Sequence, residues 1–205
     1  MALDFFQSHF LYLRFLIRKM DKKILRKEAL AKRNALTEHQ LEELNESLLA
    51  QFKMLNFSKV KSIHIFLPIV VKREPNTFLI IEWLQQYHPE IVIVVPKADF
   101  SSNLMENYVF TKKEDLITNQ YQIPEPKEGQ AFLTVPDMVI VPLLAFDEKG
   151  YRVGYGKGFY DRFLQGISTQ KIGLSFFSAV AEINDVHLND IRLDKCITPN
   201  GIVAF

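Results

Sequence analysis

Three apolar blocks, Ile91-Val-Ile-Val-Val95, Met138-Val-Ile-Val-Pro-Leu-Leu144 and Ile172-Gly-Leu-Ser-Phe-Phe177, set the strongest limit on the fold. Short runs of β-branched and aliphatic side chains with no polar alternation suit strands covered on both faces, the usual condition of a parallel sheet. Helical patterns lie between and before them. Residues 20 to 35 read as a basic helix, and Thr37-Glu38-His39-Gln40 reads as a capping box with Leu36 and Leu41 as a hydrophobic staple. Leu41, Leu44, Leu48, Phe52 and Leu55 then recur at three and four, so one face of a second helix packs on a core. Val60 to Leu67 is another short apolar run, broken by Pro68, and Thr77 to Tyr87 restores the helical period. Alternation of this kind predicts an α/β fold: a three-layer sandwich with a mostly parallel sheet flanked by helices. No repeat or long linker divides it, so residues 20–205 are expected to form a single catalytic domain. The stretch Ile123-Pro-Glu-Pro-Lys-Glu-Gly129 has no period and is expected to be a surface loop over an edge.

Charge and cysteine content narrow the function classes. Twenty-five basic residues face twenty-four acidic ones, so no global field draws nucleic acid or an anionic membrane, and neither is expected as a partner. Any anion must be held by a local cluster. The single cysteine, Cys196, can form neither an internal disulfide nor a thiolate metal site, which fits the reducing cytoplasm. Residues 1–19 are aromatic and aliphatic but carry Asp4, His9 and Arg14, too short and too charged to span a bilayer. They have the wrong order of charges for a signal peptide and read as an appended amphipathic extension, with Met20 a second conventional start.

The local cluster lies in Arg152-Val-Gly-Tyr-Gly-Lys-Gly-Phe-Tyr-Asp-Arg162. Gly154, Gly156 and Gly158 lack the Cβ atoms that keep backbone N–H groups from an anion, and they permit positive φ. Lys157 is a mobile charge within the cradle, and the residues after Gly158 read as the first turns of a helix whose amino end adds partial positive charge. The G-x-G-x-G spacing is neither the dinucleotide fingerprint nor a P-loop, and a plain glycine-rich turn is the competing reading. In the loops at the carboxyl ends of the strands, Glu74, Pro96-Lys97, the glycine loop and the segment after Phe177 should converge on one cleft.

Lys22, Arg26 and Arg33 share one helix face at 100 degrees per residue. That stripe either faces water or, with the glycine loop, clamps a polyphosphate. Asp161 either coordinates Mg²⁺ beside phosphates, or caps a helix or pairs with Arg162. Asp147 is expected to shape a turn ending at Gly150, and His39, His64 and His187 have no partner at metal spacing. No Ser/His/Asp or Cys/His arrangement supports covalent catalysis.

Lys22-x-x-Leu-Arg26, Arg33, Glu74, Pro124-Glu-Pro126, Val141-Pro142-x-x-Ala-Phe-Asp147 and, most specifically, Phe-Asp-x-x-Gly-x-Arg-x-Gly-x-Gly-x-Gly-x-Tyr-Asp-Arg from Phe146 to Arg162 resemble the 5-formyltetrahydrofolate cyclo-ligase family. The likeness runs from about residue 20 to the end. It implies ATP- and Mg²⁺-dependent closure of 5-formyltetrahydrofolate to 5,10-methenyltetrahydrofolate through a phosphorylated formyl oxygen, releasing ADP and phosphate. On that resemblance, ATP is bound by Lys22, Arg26, Arg152 and the loop Gly154, Tyr155, Gly156, Lys157, Gly158, Phe159 and Tyr160. Lys157 and Arg152 are the catalytic cations. Asp161 and Asp190 hold the metal, and Ile69, Glu74, Tyr121, Tyr155 and Phe159 meet the folate. Three features depart from the family: Pro75 after Glu74, Ala179 where glutamine is common, and the segment before Met20. The alternative in another class is a nonenzymatic folate or nucleotide binder that keeps the loop without turnover.

Overall fold

The computed structural model describes residues 20–205; the amino-terminal extension expected at residues 1–19 lies outside the described residues. The chain runs α1 (Lys22–Asn34), α2 (Glu38–Phe52), β1 (Ser62–Ile65), a 3-10 turn (Val70–Lys72), α3 (Thr77–Tyr87), β2 (Val92–Asp99) and β3 (Leu104–Val109). It continues through β4 (Leu116–Thr118), β5 (Pro124–Pro126), β6 (Met138–Pro142), β7 (Ala145–Phe146), β8 (Arg152–Val153), α4 (Phe159–Leu164), β9 (Gln170–Leu174), β10 (Lys195–Thr198) and β11 (Gly201–Ala204). Seven strands form the main sheet in the order β11-β10-β9-β6-β1-β2-β3. The five inner strands are parallel, and the antiparallel partners β3 and β11 close the two edges. All three apolar blocks are strands of this sheet.

Both faces are covered, as the unbroken apolar runs require. In the central strand β6, Met138 and Ile140 join the core beneath α2 and α3, while Val139 and Val141 join a second cluster with Phe146, Leu164 and Cys196. This is the period of two turned into two layers. In β9 the second face is crowded: a Cβ on Gly173 would stand 2.6 Å from Leu143 Cδ2 and 2.8 Å from Leu193 Cδ1. Any larger residue there would push the neighbouring segments off the sheet.

Local chemistry sets the helix starts. Thr37 and Gln40 make the predicted reciprocal capping box, with Gln40 N donating to Thr37 Oγ1 at 3.2 Å and Thr37 N to Gln40 Oε1 at 2.9 Å. Leu36 and Leu41 both pack on the core at that turn. Asn76 caps α3 by accepting from Phe78 N, so the helix opens directly after Pro75, whose ring could not continue a preceding one.

Three expectations are corrected. The Ile123–Gly129 stretch is not a bare loop: Pro124–Pro126 pairs antiparallel with Leu116–Thr118, the proline nitrogens sitting on a two-stranded ribbon that needs few donors. Pro96 and Lys97 lie within β2, where they pair with Asn107 and Glu106, instead of in a loop at its end. Gly154 does not adopt positive φ; Gly156 (88°) and Gly158 (69°) do.

Candidate active site

The glycine loop is launched by a hairpin built around one carboxylate. Asp147 is fully buried; Oδ1 accepts from Lys149 N (3.0 Å) and Tyr151 N (2.9 Å), and Oδ2 accepts from Ile183 N (3.1 Å). These bonds close the turn and pair β7 with β8. Gly150, at φ 86°, completes it, since a Cβ there would meet Phe205 Cγ at 2.8 Å and Leu193 O at 3.0 Å. The strand β8 then delivers Arg152 to the interior and Gly154 to the surface.

The cationic stripe of α1 lies against this loop: Lys22 and Arg26 are half-buried and Arg33 is buried. Arg26 Nε donates to Gly154 O at 2.9 Å, and its Nη2 would stand 3.3 Å from a Cβ on Gly156. Lys22 pairs with Asp190. Arg33, only 2 % exposed, donates through Nη1 to Tyr155 Oη (3.3 Å) and through Nη2 to Leu143 O. Of the three only Arg33 is buried, and its contacts to Tyr155 and Leu143 O offset part of the cost of burying a guanidinium.

Beside Lys22 lies an acidic pair. Asp161 Oδ1 accepts from Arg152 Nη2 at 2.8 Å and from Ile191 N at 3.2 Å; Asp190 Oδ2 accepts from Lys22 Nζ and from His187 N. The salt-bridge partner of Asp161 is therefore Arg152, not the adjacent Arg162. Arg162 instead braces the loop, donating to Lys157 O (2.5 Å) and Asn103 O (2.9 Å). Arg152 is buried, with its second Nη on Ile191 O, and burial pulls its pKa down against the opposing pull of Asp161. Lys157 is exposed, and its Nζ has no partner among the described residues. Of the expected cations it alone presents a free, mobile charge at the loop.

The expected folate side chains fall into two groups. Glu74 is 6 % exposed and accepts from Ile69 N and from Tyr155 Oη, each at 2.8 Å. Burial raises its pKa, and the Ile69 amide, Tyr155, Arg33 and Lys72 oppose that rise. The Tyr155 phenol is pushed up, by burial first and then by the Glu74 charge. The second group is aromatic. Phe159 meets Phe100 edge to face at 5.1 Å, and Phe100 overlies Tyr121 at 4.0 Å. That ladder leads from the glycine loop to an open hollow of about 450 Å³ lined by Asp99, Phe100, Tyr121 and Glu125. Tyr160 departs from its expected place: its ring packs on His64 and Phe163, and its hydroxyl is buried with no partner among the described residues.

Sequence reasoning missed Phe100 and Asp99. Their signal was available, an aromatic immediately after the end of a predicted strand, but the strand end was placed at Val95 rather than Asp99. Ala179, one of the departures, packs in the apolar cluster with Phe146, so no polar contact is expected of it in this chain. Among the described residues no group of three His, Cys, Asp or Glu could enclose a metal, and no helix is long and apolar enough to cross a membrane.

A mixed, mostly parallel sheet carrying a glycine loop, a docked cationic helix and an acidic pair defines the α/β class of this protein. The chain belongs to the 5-formyltetrahydrofolate cyclo-ligase family, whose model matches residues 18–199. It is therefore an enzyme of the ligase class. It is similar to the 5-formyltetrahydrofolate cyclo-ligases of Escherichia coli K12 (32 % identity over 83 % of this chain and 96 % of the relative) and of Mus musculus (28 % over 76 % and 83 %). Among solved structures, the Aquifex aeolicus 5,10-methenyltetrahydrofolate synthetase superposes with TM-score 0.76 at 29 % identity, covering 89 % of this chain and 92 % of that one.

Proposed function

We propose that the protein converts 5-formyltetrahydrofolate to 5,10-methenyltetrahydrofolate with consumption of ATP and release of ADP and phosphate. The observation that carries this reading is the docking of Arg26 on Gly154 O and against Gly156. A cationic helix held on a glycine loop, with Lys157 free beside it, makes a polyphosphate site of the kind phosphoryl transfer uses.

The chemistry divides between two ends of the site. The formamide oxygen of the folate attacks the γ-phosphorus of ATP and the bond to the β-phosphate oxygen breaks, giving ADP and an imidate phosphate. N10 then attacks the activated formyl carbon, its proton leaves to solvent, and the C–O bond breaks with departure of inorganic phosphate. Lys157 stabilises the charge on the phosphoryl oxygens during transfer. Arg26 and Lys22 orient the phosphate chain, and Arg152 holds Asp161 in place. Glu74 accepts from the donor edge of the pterin, Ile69 supplies an apolar wall, and Phe159 and Tyr121 flank the aminobenzoyl ring.

The residues fit Mg²⁺. Oδ2 of Asp161 and Oδ1 of Asp190 take no hydrogen bond among the described residues, and this ion needs only one or two carboxylates beside phosphates and water. When bound there it supplies charge neutralisation at the phosphates. The setting is a reducing cytoplasm, in which the buried Cys196 thiol, its pKa pushed up by burial, stays inert.

The test is the near-ultraviolet absorbance of the methenyl product, expected from purified protein, 5-formyltetrahydrofolate and MgATP together and from no pair of them. Absence of product at high enzyme concentration would refute the reading. Binding of both ligands without ADP release would select the nonenzymatic binder instead.

A further inference from the structure

Arg33 lies outside the phosphate site and is not needed to hold α1 to the loop, a task Arg26 already performs. Yet it is one of the largest fully buried side chains among the described residues, and its Nε is buried with no partner among them. Burying a guanidinium with one donor unmatched costs stability, so its remaining contacts carry information. They run in a line: Arg33 Nη1 to Tyr155 Oη, Tyr155 Oη to Glu74 Oε1, and Ile69 N to Glu74 Oε2.

We infer that Arg33 is a positioning residue for the folate end of the site: by donating to Tyr155 it turns the tyrosine hydrogen onto Glu74 and keeps that carboxylate an acceptor. The inference rests on the folate reading of Glu74 given above. The physical reason is the donor inventory. A guanidinium has five N–H donors and no acceptor, so the phenol oxygen can only accept from it. The single hydroxyl hydrogen is then committed to the other neighbour, Glu74. Replacing Arg33 with a group that can also accept would free Tyr155 to point either way.

The charge acts in the same direction. Burial favours the protonated form of Glu74, and the groups opposing it are the Ile69 amide, the Tyr155 hydroxyl, Arg33 on α1 and Lys72 in the 3-10 turn. Tyr160, on α4, adds no cation on the remaining side. Lys72 is exposed and screened by solvent. Arg33 is thus the buried cation of this end. A protonated Glu74 would offer a donor where the pterin edge also offers donors, and recognition would fail.

The experiment compares wild type with Arg33→Met, Arg33→Gln and Arg33→Lys. Glutamine leaves a donor for Leu143 O and guards against a variant that does not fold. The first readout is the titration of the Glu74 carboxyl by ¹³C NMR, assigned with Glu74→Gln, which needs no turnover. Loss of the buried cation is expected to move its midpoint up by about one pH unit, and lysine to restore it. The second readout is kinetic: KM for the folate at neutral pH rises roughly tenfold in the methionine and glutamine variants while KM for MgATP changes by less than about twofold. The acid limb of folate binding moves to higher pH with the midpoint. An unmoved midpoint, or equal loss toward both substrates, in a folded variant would overturn the inference. A wild-type protein that makes no product would refute the folate reading instead, and the NMR midpoint would still decide whether Arg33 governs Glu74.

Discussion

The two ends of the site solve opposite electrostatic problems. At the glycine loop one charge is exposed and uncommitted: Lys157 has no partner among the described residues, and Gly156 and Gly158 stand in left-handed backbone that leaves room for Arg26 and Arg162. At Glu74 the charge is buried and fully engaged before any ligand arrives, with Tyr155 and Ile69 on its two oxygens. A site for a solvated, multiply charged phosphate chain can leave a cation in water, because the ligand arrives with charge to match it. A site that must recognise a flat, neutral heterocycle by a few donors has to exclude water and fix its acceptor in advance. Tyr155 belongs to both ends, since its backbone lies in the loop and its hydroxyl on Glu74.

Substitutions should separate the ends. The largest effect is expected from Lys157→Ala, which should lower kcat by about 10²- to 10³-fold while leaving the melting temperature unchanged, because the side chain is exposed and unpaired. A variant with near-wild-type kcat would remove Lys157 from the transfer step. Next, Glu74→Gln should raise folate KM by roughly ten- to a hundredfold with little change in KM for ATP, since a buried carboxylate acceptor is replaced by a group that offers donors to donors. Steady-state kinetics with each substrate varied decides it, and equal losses for both would merge the two ends into one.

A smaller effect concerns the floor beneath them. His64 sits in β1 under Tyr160 and Phe163, both ring nitrogens buried with no partner among the described residues, and burial lowers its pKa from 6.5 to about 3. The folded protein keeps it neutral while the unfolded chain protonates below its ordinary value. Its contribution is therefore fully present above about pH 6.5 and is lost toward pH 3, with a slope near 1.4 kcal/mol per pH unit for one proton. His64→Leu should flatten the acid limb of the melting temperature against pH; an unchanged limb would assign acid sensitivity elsewhere. The smallest expected effect is of salt: raising ionic strength should weaken ATP binding about two- to threefold and leave folate binding unchanged. Titration of each ligand at two salt concentrations checks this, and parallel weakening would contradict the contrast.

The sheet was legible because its three buried blocks have no polar alternation, α2 because its capping box is written in Thr37 and Gln40, and α3 from the helical period over Thr77 to Tyr87. The glycine loop, and the helix that follows Gly158, were legible from glycine spacing. Less visible were the features made by distant segments. Nothing near Arg33 in the chain announces Tyr155 or Leu143, more than a hundred residues on. The Arg152–Asp161 pair was likewise hidden, because the adjacent Arg162 was the nearer candidate in sequence while the turn of α4 points it at Asn103. Phe100 escaped because β2 runs four residues beyond its apolar block, held by the antiparallel edge strand β3. Period and composition report burial well. They do not report which polar partner a buried group finds.

The central claim is that the two ends bring the γ-phosphate of ATP against the formyl oxygen. The most direct measurement is a turnover of 5-formyltetrahydrofolate labelled with ¹⁸O in the formyl group, followed by mass analysis of the released phosphate. Transfer of the label into phosphate, one atom for each methenyl product formed, is the result the account predicts. Label appearing in water, with unlabelled phosphate, would contradict it.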